Sequence, residues 1–546
     1  MQISRRSLFA GSAAAVGVTA LAACGGSSNS GSGGGDDAAI ILANGTEPEN
    51  KLLTTNTTEV GGGRVLTSVF SGLVYYTEQG EVENDLAESI ESEDNITWTI
   101  KIKADQKYSD GTVIKAEDFV RAWNYGALTT NAQSSQDFFE PIEGFDEVGA
   151  EKPTAEELKG LTVVDDTTFT VKLTSAQSDF PNRLGYTAYM PWPASALDDL
   201  EAFGEKPVSS GPYKVDAWEH DKEIRLVVNE HYDGPRKAKN GGITFKIYAD
   251  PDTLYNDLTS DNGSVDVVDQ IPNSALSTFE NDLGERAVNQ DGAVFQAFTF
   301  AAGDKNFEGE AGKLRKQAIS MAIDRKAICD SLFFGTRSPA TDFIAPVIDG
   351  GGATDIPGNE VLQFNAAKAK ELWDQAEGMQ KFEGDFTLAY NADGPHKDWV
   401  EAVCNSIKQT LGITATPTPY PEFGKFREVV GNREIKGAFR TGWQADYPSM
   451  FNFLGPLYSS AAADGKGSND SDFKNPEFDT LLKDGLAAPD ADAAIEKFKA
   501  AEAVLMENLP SVPLWYQNTI GGYSSAVSDV KYGWDTVPLY YEITKK

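Results

Sequence analysis

Hydrophobic and polar positions along the chain follow two periods. In Trp98–Lys103 (WTIKIK) they alternate, as in a strand with one buried face. The same reading makes strands of 168–174, 223–229 and 243–250. Asp110-Gly111 marks a turn after the first of these strands. KAEDFVRAW, from Lys115, then starts a helix with Glu117 and Asp118 in the acid-favouring first turn. A helical period predicts one long amphipathic helix over 314–333 and another over 366–376. FTLAYN (386–391) followed by 396–413 reads as strand then helix, and 493–510 as a helix feeding the strand 511–516. Strands and helices mix throughout, which predicts an α/β protein. No repeat of solenoid period is present.

The amino terminus follows a different rule. Arg5 and Arg6 precede an uncharged apolar run that ends in Leu21-Ala22-Ala23-Cys24. This is the layout of an export signal, too short for a comfortable membrane span. LAAC followed by Gly25 resembles a bacterial lipobox, in which Cys24 is acylated and becomes the new amino terminus. SRRSLF resembles a twin-arginine signal. Residues 25–37 are entirely Gly, Ser, Asn and Asp, with no apolar side chain to bury. The expected layout is a signal at 1–23 and a flexible tether at 24–37. Lipid then holds the protein on the outer face of the cytoplasmic membrane.

Charge narrows the partners. The 546-residue chain carries a net −36, more negative still without Arg5 and Arg6. Such a surface repels nucleic acid. Hydrophobic content of 40% supports a packed core, and the length predicts more than one domain. Beyond Cys24 only Cys329 and Cys404 remain; they read as buried thiols or as a long-range disulfide.

Signs of catalysis are missing. There is no GxSxG, GxxxxGK[ST], GxGxxG after a strand, or HExxH. His220, His231 and His396 are the only histidines, far apart in sequence, and there is no CxxC. The reading is a protein that is not an enzyme and needs no cofactor or metal. With 83 acidic residues, a surface hydrolase of peptides or glycans stays as the alternative.

One stretch concentrates candidate chemistry. Phe439–Phe453 (FRTGWQADYPSMFNF) places five aromatic rings around Asp446 and Arg440. Its part 442–454, together with segments 85–123, 209–235, 314–328 and 500–516, resembles the extracytoplasmic solute-binding proteins of peptide ABC importers, family 5. The likeness runs over nearly all of 39–546. It implies a periplasmic-binding-protein-like clamshell of two lobes and three subdomains. Domain I would comprise 38–71, 196–298 and 512–546, domain II 72–195 and domain III 299–511. The function it implies is a monomeric, lipid-anchored protein that delivers oligopeptides to an ABC permease. Dipeptides, nickel chelates and oligosaccharides are the rival ligands.

The resemblance also implies roles. Asp446 would pair with the ligand's α-ammonium, since a buried carboxylate calls for a cation. Backbone near Trp443 and Gln444 would align the peptide as an added strand. Trp443 and Phe423 would wall side-chain pockets. Thr58, Glu59 and Val60 would supply a second main-chain contact, beside an unusual Gly61-Gly62-Gly63 run. Arg440, Arg433 and His396 would lie near the ligand's carboxyl end. Read from the residues alone, the alternative for Asp446 is a helix cap or turn residue.

Overall fold

The computed structural model of the chain describes residues 40–260 and 263–546. The export signal, Cys24 and the tether lie outside the described residues. The sheet that organises the rest runs through most of the body. Its strand order is Ala415–Tyr420, Phe386–Asn391, Ala438–Gln444, Ala287–Phe300, Ser511–Tyr523, Val267–Val268, Ile40–Gly45, Gly242–Ile247, Glu223–Val228 and Tyr213–Glu219. Arg337–Pro339 adds to Ser511–Tyr523 from the side. The two longest strands, Ala287–Phe300 and Ser511–Tyr523, pair antiparallel at the centre. Both are longer than any strand read from the pattern, because their successive stretches pair with different neighbours.

A separate four-stranded antiparallel sheet holds Ala87–Glu91, Thr97–Ile102, Thr168–Lys172 and Leu161–Asp165. Its central strand Thr97–Ile102 buries Trp98, Ile100 and Ile102 and exposes Thr97, Thr99 and Lys101, as the alternation predicts. The helix Ala116–Ala127 covers it. Asp118 caps that helix by accepting from the Lys115 backbone N–H at 2.9 Å.

The segment 314–333 departs from the predicted single helix. Gly309–Met321 is one helix and Arg325–Ile328 begins another, continued by the wide turn Cys329–Phe333. Asp324 starts the second by accepting from the Ala327 N–H at 3.0 Å. Arg325 is 3% exposed and donates to the carbonyls of Ser320 (2.9 Å), Leu362 (2.8 Å) and Pro513 (2.8 Å). These bonds hold the break. Burial lowers the pKa of this guanidinium to about 9. Cys329 and Cys404 are both buried as free thiols.

Two acids meet in the core beside the central strands. Asp342 and Glu502 are both 0% exposed. Asp342 accepts from the Tyr516 hydroxyl (2.5 Å) and from the N–H groups of Ile344 (2.9 Å) and Ala353 (2.5 Å). Glu502 accepts from the Phe343 N–H at 2.9 Å, and its second oxygen is buried without a partner. Burial and the charge of Asp342 drive Glu502 well above the carboxylate range, so it keeps a proton. An acid whose pKa is raised on folding adds stability below its unfolded value, about 4, which is lost as pH rises. Urea unfolding of wild type should therefore show stability declining from about pH 5 to 8. Glu502→Gln should flatten that decline; an unchanged slope would contradict the assignment.

Candidate functional site

The strand Ala438–Gln444 pairs fully with Ala287–Phe300 on one side. On the other it meets Phe386–Asn391 only at Ala438 and Phe439. From Arg440 to Gln444 that outer edge has no strand partner among the described residues. Unpaired edge groups are a template for an added strand.

The chain leaves this edge through Ala445–Pro448 and enters the helix Met450–Tyr458. Ser449, not Asp446, caps that helix, accepting from the Phe451 N–H at 3.1 Å. Asp446 is instead fixed by Asn452, which is 2% exposed. Asn452 Nδ2 donates to Asp446 Oδ2 at 3.0 Å, and its Oδ1 accepts from the Asp446 N–H (3.0 Å) and from Trp443 Nε1 (2.9 Å). One amide thus orients both the carboxylate and the indole. Among the described residues no cation lies within 4.0 Å of Asp446. Burial raises its pKa to about 6.

Tyrosines surround this carboxylate. Its charge adds to the upward shift that burial gives the hydroxyls of Tyr76, Tyr186 and Tyr447. Tyr186 belongs to the segment 177–190, which closes over the loop. There the Arg183 guanidinium lies 5.3 Å from the ring centres of both Tyr447 and Phe451, and Asp179 accepts from Ser449 Oγ at 3.2 Å. Arg183 thus already occupies the ring faces of Tyr447 and Phe451, and the surround of Asp446 is partly dry.

Glu59 is a second carboxylate in electrostatic reach of Tyr186. It caps the helix Val60–Val69, accepting from the N–H groups of Gly62 (3.1 Å) and Glu49 (3.2 Å), and its other oxygen is buried without a partner. Burial raises its pKa. Thr58 and Val60 on either side are exposed. Two of the three glycines have a packing reason, while a Cβ on Gly63 would meet nothing within 4 Å. A Cβ on Gly61 would sit 1.7 Å from Thr46 Oγ1, and one on Gly62 would sit 2.5 Å from Glu59 Oε1.

The basic residues divide. Arg440 donates from Nε to Asn391 Oδ1 at 2.7 Å and lies 5.1 and 5.3 Å from the ring centres of Phe423 and Phe426. It has no carboxylate within 4.0 Å among the described residues. Burial, with help from Arg427, lowers its pKa to about 10. Arg433 is tied instead to Asp472, at 2.9 Å from Nε and 2.7 Å from Nη2. His396 is neutral, its pKa lowered to about 3 by burial and by Arg440 and Arg337. Its Nδ1 accepts from Trp399 Nε1 at 3.2 Å.

The fold therefore gathers Asp446, Trp443, Gln444, Arg440 and Phe423 along one strand edge. Gln444 Nε2 also donates to the Asp535 carbonyl at 3.1 Å, tying that edge to the C-terminal segment. His396 stands close enough to Arg440 to feel its charge, and of Thr58–Val60 only Glu59 comes within electrostatic reach of Tyr186. Sequence reasoning missed Asn452 and Tyr186. Asn452 alone had a local signal, since it lies six residues after Asp446 and could fold back on it. Among the described residues no cluster of His, Cys, Asp or Glu could hold a metal ion, and no helix is long and apolar enough to cross a membrane.

Comparison with known proteins gives this arrangement a family. The oligopeptide-binding protein OppA of Bacillus subtilis is 26% identical over 481 residues, covering 84% of this chain and 83% of its own. The periplasmic OppA of Salmonella typhimurium is likewise 26% identical, covering 84% and 85%. The solved murein tripeptide binding protein MppA of Escherichia coli superposes with a TM-score of 0.74 at 21% identity, over 93% of this chain and 98% of its own. Haemophilus influenzae OppA, solved with the peptide RPPGFSPFR, gives 0.72 at 20% identity, over 94% and 100%. The fold is the two-lobed clamshell of periplasmic binding proteins. The model of the bacterial extracellular solute-binding proteins, family 5, matches residues 81–465, and the chain belongs to that family.

Proposed function

We propose that this protein captures oligopeptides between its lobes and delivers them intact to an ABC permease, held to the outer face of the cytoplasmic membrane by lipid on Cys24. One observation carries the reading. Asp446 is a half-buried carboxylate with no cation within 4.0 Å among the described residues, placed just beyond a strand edge that has no strand partner among them from Arg440 to Gln444. A peptide supplies both missing partners, an α-ammonium for the acid and backbone groups for the edge. Main-chain bonds are blind to side chains, which gives breadth of substrate. Arg440, with no carboxylate within 4.0 Å among the described residues, suits the peptide's carboxyl end; Arg433, already bound to Asp472, serves to shape the wall.

As part of this proposal we keep the subdomain bounds given above, with Ala287–Phe300 and Ser511–Tyr523 as the strands that pass between lobes. Closure about them follows ligand binding. Incubation with a peptide mixture tests the reading against a hydrolase. Peptides should return at full length and raise the unfolding temperature; shortened peptides would favour the hydrolase.

Two further outcomes are expected. An ammonium pairs with the ionised carboxylate, and free Asp446 titrates near 6. Affinity should be full near pH 7 and fall about tenfold per unit below pH 6, as the free protein takes up a proton that the complex refuses. Calorimetric titration between pH 4.5 and 7 checks this; equal affinity at pH 5 and 7 would count against it. For the anchor, Cys24→Ala should move the protein from the membrane fraction to the soluble fraction of the source cell. Retention in the membrane fraction would remove the lipid anchor from the account.

A further inference from the structure

We propose that Arg183 is a positioning residue for peptide capture, clasping the loop that carries Asp446 to the segment 177–190 when the cleft shuts. The proposal rests on the peptide reading and the subdomain bounds above, in which 177–190 belongs to domain II and the Asp446 loop to domain III. It goes on to name what holds the two together.

Three contacts join them. The Arg183 guanidinium lies 5.3 Å from the ring centres of both Tyr447 and Phe451, on the chain just after Asp446. Ser449 Oγ, which also caps the helix Met450–Tyr458, donates to Asp179 Oδ2 at 3.2 Å. The Ser178 N–H donates to the Leu486 carbonyl at 2.7 Å.

This clasp is buried yet incompletely bonded. Arg183 is 6% exposed and Asp179 9%. Their ion pair is long, 3.4 Å from Nη2 to Oδ1, and Arg183 Nε is buried without a partner. Among the described residues no other carboxylate lies within 4.0 Å of this guanidinium, so it is not the counter-ion of Asp446. Ring faces attract a guanidinium more strongly once water is excluded, but an orphaned buried N–H costs free energy. The shut form without ligand therefore leaves two groups short of partners, Arg183 Nε and the Asp446 carboxylate. A peptide ammonium satisfies the second, and so shifts the balance towards the clasped form.

Hydrogen exchange on the full protein, with and without saturating alanine pentapeptide, tests this with no substitution. The Ser178 amide bonds across to domain III, whereas its neighbour, the Gln177 amide, donates to the Asn95 carbonyl at 2.8 Å within domain II. Peptide should slow exchange at Ser178 at least tenfold and change Gln177 less than threefold. In stopped-flow binding, Arg183→Ala should release the pentapeptide at least tenfold faster, with association within threefold of wild type. Arg183→Lys keeps the charge but loses the planar fork, and should restore part of that loss. Equal protection of Ser178 with and without bound peptide, or an unchanged release rate in Arg183→Ala, would overturn the clasp while leaving peptide capture standing. If Arg183→Ala does not fold, the exchange comparison on wild type decides alone. Failure of the pentapeptide to bind at all would overturn both.

Discussion

Asp446→Asn should weaken peptide binding by about 30-fold to several thousand-fold. Stranding one partner of a buried, hydrogen-bonded charge pair costs about 2–5 kcal/mol, and every 1.4 kcal/mol is a factor of ten. The variant keeps the shape of the loop, because its amide oxygen can still accept from Asn452 Nδ2 as Asp446 does at 3.0 Å. Its effect on the empty protein should be opposite. Burial already disfavours the ionised carboxylate, so removing the charge leaves the ligand-free fold as stable as before or more so. Calorimetry and urea unfolding on the same variant separate the roles. Loss of affinity with stability retained marks a ligand-binding group. Loss of stability with affinity retained would mark a turn residue.

The second large effect is structural. Asp85 is 1% exposed and accepts from Arg236 at 3.0 Å from Nη2 and 3.1 Å from Nε. Arg236 also donates to the carbonyls of Thr67 (2.7 Å) and Phe70 (2.9 Å) and to Ser71 Oγ (2.8 Å). Tyr232 donates to Asp85 at 3.1 Å. This network joins the chain after the first helix to the loop at 229–240. Removing one partner leaves the other charge buried and unpaired, at a cost of about 3–5 kcal/mol. Asp85→Ala should lower unfolding stability by about 3 kcal/mol or more in urea. The double variant Asp85→Leu, Arg236→Met should cost less than the two single changes added together. A single-variant loss under about 1 kcal/mol would show that the remaining carbonyls satisfy Arg236 without the acid.

Elements whose pattern is local were legible in the sequence. Thr97–Ile102 and Phe386–Asn391 follow from alternation or a short apolar run, and Lys397–Leu411 from its helical period. The break at Asp324 was not legible, because it depends on carbonyls at Leu362 and Pro513 that only the fold brings to Arg325. The same holds for the Asp342–Glu502 pair, 160 positions apart in the chain. At the site, the crowding of rings around Asp446 was visible in sequence. What fixes the carboxylate was not: Asn452 looks like any polar residue in a helix. Arg433 and Arg440 look alike in sequence, yet one is bound to Asp472 and the other lies over rings and donates only to the Asn391 amide oxygen among the described residues. Charge pairing is a property of the packed chain, so residue type could nominate both but not divide them.

The central claim is that Asp446 reads the free amino end of a peptide. Binding of one peptide, free and N-acetylated, to wild type and to Asp446→Asn tests it most directly. Acetylation removes the ammonium and should weaken binding to wild type by a factor similar to that of the Asn substitution. On the Asn variant acetylation should cost far less, since the charge pair is already gone. Equal affinity of wild type for free and acetylated peptide would contradict the claim.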